Sequence, residues 1–190
     1  MEERLILVDA DDRALGVCGK LHAHREGLLH RAFSIFVFDY AGRVLLQQRA
    51  HGKYHSGGLW TNTCCGHPRP GETLLDATRR RLHEEMGFAC ELREVDTLLY
   101  RAPLDNGLVE HEFLHIHTGA AQDVPAPDPA EVAAWRWIDL PTLLTWIAAD
   151  PDAFTIWFRH IVARTGKDGL SAWAANAGRL SAVRSASATR

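Results

Sequence analysis

The 190-residue sequence contains no C-x-x-C pair, and its four cysteines are Cys18, Cys64, Cys65 and Cys90. This spacing offers no disulfide framework, so all four read as reduced thiols. There is no surplus of positive charge: 21 Lys and Arg stand against 24 Asp and Glu, for a formal net charge of −3. That balance excludes a general affinity for nucleic acid or acidic lipid, and an anionic ligand must be met by locally grouped cations. No apolar run reaches the roughly 18 residues of a membrane span. The opening MEERLILVDADDR lacks the basic flank, apolar segment and cleavage site of a secretory signal. The expectation is therefore a cytoplasmic protein with no nucleic-acid or membrane partner, and composition names no ligand. No feature specifies an oligomeric state. What is present is a globular composition, 46% apolar and 24% charged, in a length that suits one domain. There are also eleven histidines, candidates for metal ligation or proton transfer.

Residues 4–8, 31–38 and 43–48 are short β-rich runs, the last two joined by the turn-like Asp39-Tyr40-Ala41-Gly42. From 72 to 87 the period becomes helical, with Leu74, Thr78, Leu82 and Met86 four apart on one face and Gly87 as the stop. Residues 97–101 and 109–117 read as further strands, and the Pro-rich stretch 119–130 as a connection to a strand at 134–138. Asp139 before Leu140-Pro141, and Asp150 before Pro151, each match an N-cap followed by an early proline. Helices are expected over 140–149 and 151–165. After Gly169 the chain is rich in Ala, Ser and Arg, which predicts one domain over 1–169 and a weakly packed helix or mobile tail over 170–190. The order strands, helix, strands, helices indicates an α+β (mixed α/β) fold.

On the helix at 72–87, residues three and four apart share a face. Arg81 thus lies beside Glu84 and Glu85, and Arg80 beside Glu84. The stretch Gly66 to Phe88 resembles the Nudix box, with Gly66, Glu72, Arg80, Leu82, Glu84, Glu85, Gly87 and Phe88 in register. The resemblance implies a sandwich of mixed β-sheet flanked by helices. It also implies that helix carboxylates hold a divalent cation bridging to a diphosphate, a task suited to hard, oxygen-seeking Mg²⁺. One position departs from the box: Arg81 stands where Nudix hydrolases carry a glutamate. Guanidinium clamps phosphate oxygens in a planar fork, so this exchange favours holding a diphosphate over cutting it.

Upstream, Leu59-Trp60-Thr61-Asn62-Thr63-Cys64-Cys65-Gly66-His67-Pro68 closely resembles the signature of type I isopentenyl diphosphate isomerases. Val109-Glu110-His111-Glu112 resembles that family's E-x-E strand, and Tyr100-Arg101-Ala102 its Y-R-A; the resemblance spans roughly 5–165. Moving an unactivated double bond requires one group to protonate C4 and another to take a proton from C2. By the resemblance Cys65 and Glu112 form that pair, with the Tyr100 phenol beside them. A thiol is mostly protonated at neutral pH, which suits an acid. Cys64 reads as a small buried hydrophobe.

Glu110 and Glu112, two apart on a strand, point to the same face, while His111 and Phe113 point away. The family places three histidines with them in a His3Glu2 metal site, here His24, His30 and His67, with His22 as the alternative to His24. Imidazole with carboxylate suits Zn²⁺, Mn²⁺ or Mg²⁺. Lys20, Arg49, Lys53 and Arg81 match the family's diphosphate contacts, and Glu85 its carboxylate to the Mg²⁺ bridging the substrate. Trp60 and Trp157 are candidates for aromatic walls that favour the cation. His51, His55, His83, His115, His117 and His160 read as surface or core residues.

Overall fold

The computed structural model describes residues 3–187. The chain runs β1 (Arg4–Val8), β2 (Ala14–Gly19), α1 (Lys20–Glu26), β3 (His30–Phe38), β4 (Val44–Arg49), β5 (Trp60–Thr61) and β6 (Cys64–Gly66). It continues with α2 (Leu74–Met86), β7 (Leu92–Pro103), β8 (Val109–Ala120), β9 (Val132–Ile138), α3 (Leu140–Ala149) and α4 (Ile156–Ser187). The strands form one mixed sheet. Its hub is β3, parallel to β8 along its whole length and antiparallel to β6 on its other side through Phe33, Ser34 and Ile35. At its ends β3 meets β1 through His30 and β4 through Phe38.

β3 is apolar almost throughout because both of its faces are covered. Phe33, Ile35 and Val37 enter one core with Leu82 and Met86 of α2, while Ala32, Phe36 and Phe38 enter a second core with Phe158 and Ile161 of α4. Each fully buried large side chain contributes about 1.5–3 kcal/mol through burial, which places the sheet firmly between the two helical layers. α2 starts at a Thr73 cap whose side chain accepts from the Asp76 N–H. It stops at Gly87, where φ is 75° and an added Cβ would come within 2.3 Å of the Ala126 carbonyl oxygen. Only glycine fits both the left-handed backbone and that approach.

Several elements depart from expectation. β2, α1, β5 and β6 are short and have no strong periodic pattern of their own. Pro151 opens only a 3₁₀ turn, Pro151–Ala153, and the long helix starts at Ile156. The Asp150 side chain makes no cap there, and the Thr155 N–H donates to the Trp60 carbonyl, so residues 154–155 are held extended beside β5. The boundary expected at 169 does not coincide with an end of packing. After a break at Gly166 (φ 65°) the helix continues, and Leu170, Trp173 and Ala177 are buried in the α4-side core. Their i, i+3, i+7 spacing is a helical face hidden in a small-residue composition. Residues 188–190 of the expected tail lie outside the described residues.

Candidate active site

The short helix α1 turns back at Gly27, and it buries Ala23 and His24 while His22 is exposed. His24 Nδ1 lies 2.8 Å from the Lys20 carbonyl, and His30 Nδ1 lies 2.8 Å from the Leu28 carbonyl. In each ring Nδ1 must carry the proton, which leaves the Nε2 lone pair facing inward. His67 follows β6. Strand register supplies the carboxylates: β8 places Glu112 between His30 of β3 and Tyr100 of β7, with Glu110 two residues back on the same face. The three ring centroids lie 5.0, 5.2 and 6.1 Å apart, and the ligand atoms of His24, His30 and His67 fall within 4.8 Å of one another. Glu110 Oε2 is 3.3 Å from His24 Nε2, and Glu112 Oε1 is 3.4 Å from His67 Nε2 and 3.8 Å from His30 Nε2.

Those contacts lack hydrogen-bond geometry. His24 Nε2, His30 Nε2, both His67 nitrogens and Glu110 Oε2 are buried without hydrogen-bond partners. An unsatisfied buried polar group costs about 1–3 kcal/mol; His67 Nδ1 faces Glu3 at 3.5 Å, and the other four such atoms turn toward one another in an arrangement that suits a divalent cation. Burial and the neighbouring Glu112 charge raise the pKa of Glu110. For Glu112 burial also opposes ionisation, but His67, His30 and the Tyr100 hydroxyl, which donates to Oε2 at 2.7 Å, hold it down at about 2.

Cys65 Sγ lies 3.2 Å from Asn62 Oδ1 and 3.4 Å from Ser34 Oγ. Burial pushes this thiol up to about 11. Cys64, its neighbour on β6, points into the α2-side core, and none of the four cysteines is in a disulfide. A cavity of about 640 Å³ is lined by Cys65, Glu112, Glu110 and Trp157 together with Lys20, Arg49, Lys53 and Arg81. The cations are held by carboxylates: Lys20 by Glu3 at 2.8 Å, Lys53 by Glu131, and Arg81 by Glu85, Glu84 and Glu131. Arg49 packs its guanidinium over the Trp157 ring at 5.2 Å. Glu85 is buried and also accepts from Gln47 at 2.8 Å.

Trp60 and Tyr100 do not line the cavity. Trp60 is not among the cavity-lining residues; it packs in the α4-side core against Trp146 and under Arg136, because β5 turns its ring toward α3. Tyr100 is also absent from the lining and meets the site through Glu112. Conversely, His55 departs from a plain surface or core reading: it lines the cavity beside Glu110 and Trp157. It sits in an irregular loop, where no periodicity marks a direction. Glu3 and Glu131 were likewise unmarked, being single acids outside any motif.

The sheet between two helical layers, with carboxylates on α2, defines the class: the NUDIX domain family profile matches residues 28–158. Similar folds include a Deinococcus radiodurans protein at TM-score 0.65 and 21% identity, covering 77% of this chain and 90% of its own. Another is the MutT protein of Methanosarcina mazei at TM-score 0.59 and 17% identity, covering 72% and 91%. At such identities the likeness is one of fold. The isopentenyl-diphosphate Delta-isomerase of Burkholderia multivorans is 70% identical over 174 residues, 92% of this chain and 99% of its own length. That of Serratia proteamaculans is 52% identical over 174 residues, 92% and 97%. The chain belongs to the isopentenyl-diphosphate Delta-isomerase family within the NUDIX class.

Proposed function

We propose that the chain interconverts isopentenyl and dimethylallyl diphosphate by adding and removing one proton through a tertiary cation. The observation that carries this reading is a protonated thiol, Cys65, and an ionised carboxylate, Glu112, lining one cavity with four cations. The thiol adds its proton to C4, leaving positive charge on C3. The carboxylate takes a proton from C2, and the double bond re-forms between C2 and C3. One proton enters and one leaves, so the product is an isomer and the diphosphate stays intact. A thiol held at about 11 is present as an acid at neutral pH. Tyr100 orients Glu112 through its hydrogen bond.

Trp157 offers a π face to the cation without a lone pair that could trap it. Lys20, Arg49, Lys53 and Arg81 hold the diphosphate, with Lys20, Lys53 and Arg81 exchanging their present carboxylate partners for phosphate oxygens. His24, His30, His67, Glu110 and Glu112 would hold a Mn²⁺, Mg²⁺ or Zn²⁺ ion that fixes the Glu112 carboxylate, and Glu85 a Mg²⁺ that neutralises diphosphate charge. The substrate is a small molecule, and the protein acts on it in the cytoplasm. Incubation with isopentenyl diphosphate and Mg²⁺ in D₂O is expected to give dimethylallyl diphosphate with deuterium in a methyl group. Release of inorganic phosphate or diphosphate without isomer would instead make the chain a hydrolase of the same fold.

A further inference from the structure

Between Ala32 and Phe36, on the face of β3 that feeds the α4-side core, stands the hydroxyl of Ser34, fully buried. A hydroxyl buried there needs a partner, and its partner is the acid itself. Ser34 stands opposite Cys65 in the β3–β6 register, with Oγ 3.4 Å from Sγ. The sulfur has a second neighbour, Asn62 Oδ1 at 3.2 Å. The orientation of that amide is fixed, because Nδ2 donates to the Ile35 carbonyl at 3.0 Å and to the Cys64 carbonyl at 2.9 Å. Both amide protons are thus committed. Oδ1, which also accepts from the Thr61 hydroxyl at 3.0 Å, can only accept from the thiol.

We propose that Ser34 is a further catalytic residue, whose hydroxyl donates to the Cys65 sulfur as that sulfur gives up its proton. This rests on the reading of Cys65 as the acid. In the resting protein the S–H donates to Asn62 Oδ1. When the substrate is protonated, the S–H bond breaks and the π pair of the alkene forms the new C4–H bond. The electron pair of the broken bond stays on sulfur, as a thiolate facing the cation at C3. Asn62 then turns an oxygen lone pair toward an anion, which it cannot stabilise. The Ser34 hydroxyl can rotate its proton onto Sγ and make a charge-assisted hydrogen bond without transferring it. With Oγ already in place, the buried strand needs no rearrangement. Sulfur carries a full charge while Glu112 takes the C2 proton, and only part of one while it recovers a proton from C4. Loss of the Ser34 donor therefore favours return of the cation to substrate over passage to product.

The test compares full-length wild type and Ser34→Ala with Mg²⁺ and isopentenyl diphosphate in D₂O, following product and the deuterium that return leaves at C4 of recovered substrate. Loss of one hydrogen bond to a charged group is expected to lower kcat about 10- to 100-fold with KM little changed. With the charge about half developed in the protonation step, the ratio of deuterated substrate to product should rise about 3- to 10-fold. Unchanged kcat and ratio would overturn the assignment of Ser34 and leave Cys65 standing. A fall in kcat at an unchanged ratio would make Ser34 a packing residue and overturn it equally. Ser34→Thr keeps the hydroxyl and should keep the wild-type ratio; a ratio raised as far as in Ser34→Ala would count against the proposal. Full turnover in Cys65→Ala would remove the acid and the proposal with it. In wild type, the Cys65 S–H stretch, identified as the infrared band lost in Cys65→Ala, should lie below that of a free thiol. A band at the free-thiol frequency would release the thiol from Asn62 and overturn the proposal whether or not a Ser34 variant folds.

Discussion

Cys64 and Cys65 are adjacent and chemically identical, yet the alternation of β6 sends one into the α2-side core and the other to the cavity. Cys65→Ala removes a proton-transfer group and is expected to lower kcat by about 10²- to 10⁴-fold with the thermal midpoint nearly unchanged. Cys64→Ala should do the reverse, retaining turnover and losing roughly 1 kcal/mol of stability by urea titration. Burial raises the Cys65 pKa to about 11, and the sign follows directly: thiolate grows with pH, so alkylation of the metal-free protein should rise about tenfold per unit from pH 7 to 10. A plateau near pH 8 would mean an ordinary thiol and would undercut its role as the acid. Tyr100→Phe leaves the Glu112 carboxylate short of a charge-assisted hydrogen bond worth about 1.5–3 kcal/mol, so kcat should fall about 10- to 100-fold with KM little changed. Cys65 stood out in the sequence because Gly66-His67-Pro68 follows it, and Glu110 and Glu112 because strand alternation alone makes them converge. His55 was illegible for the opposite reason: a loop has no period, and its direction is set by tertiary contacts with Trp157 and Glu110.

Long periodic elements were the legible ones. α2 was anticipated to within two residues at its start, because the four-residue apolar spacing and Gly87 agree, while the Thr73 cap went unread. β3 and β8 were read from β-rich composition, though not their parallel pairing, which is a long-range choice that no local pattern encodes. The short β5 and β6 exist only because β4 and β3 template them. Trp60 was misplaced by the same limit: the motif identifies the strand, but only the packing of α3 shows which way the ring turns. The end of α4 was the largest departure, since an Ala- and Ser-rich stretch conceals the face Leu170, Trp173 and Ala177. Trp173, 8% exposed and edge-on to Phe36 at 5.5 Å, is therefore a core residue. Trp173→Ala should cost about 3–5 kcal/mol, read as a lower urea midpoint at unchanged slope. Insensitivity would return residues after 169 to the status of an appendage. Gly87→Ala should be comparably damaging, because it meets both the φ of 75° and the Ala126 carbonyl.

For the molecule as a whole, the His/Glu cluster is the point where distant pieces of chain are fastened together. His24 comes from α1, His30 from the start of β3, His67 from the segment after β6, and Glu110 and Glu112 from β8. Without an ion, those pieces converge on buried nitrogens and oxygens that no protein group satisfies, so part of the packing energy of both cores is spent holding them together. An ion that binds the folded chain and not the unfolded one stabilises it by about 2.7 kcal/mol at a hundredfold excess over its Kd. At about 2–4 °C per kcal/mol for a chain of this size, that is roughly 5–11 °C in thermal midpoint. Chelation followed by gel filtration should lower the midpoint by such an amount, and Mn²⁺ should restore it in proportion to the logarithm of its concentration. In His24→Ala the response should vanish, since one ligand and its share of the convergence are gone. The same response surviving in His24→Ala would place the stabilising ion elsewhere, for example at Glu85. Loss of the response together with loss of isomerisation would tie stability and proton transfer to one centre, because the clamp that closes the fold also fixes Glu112.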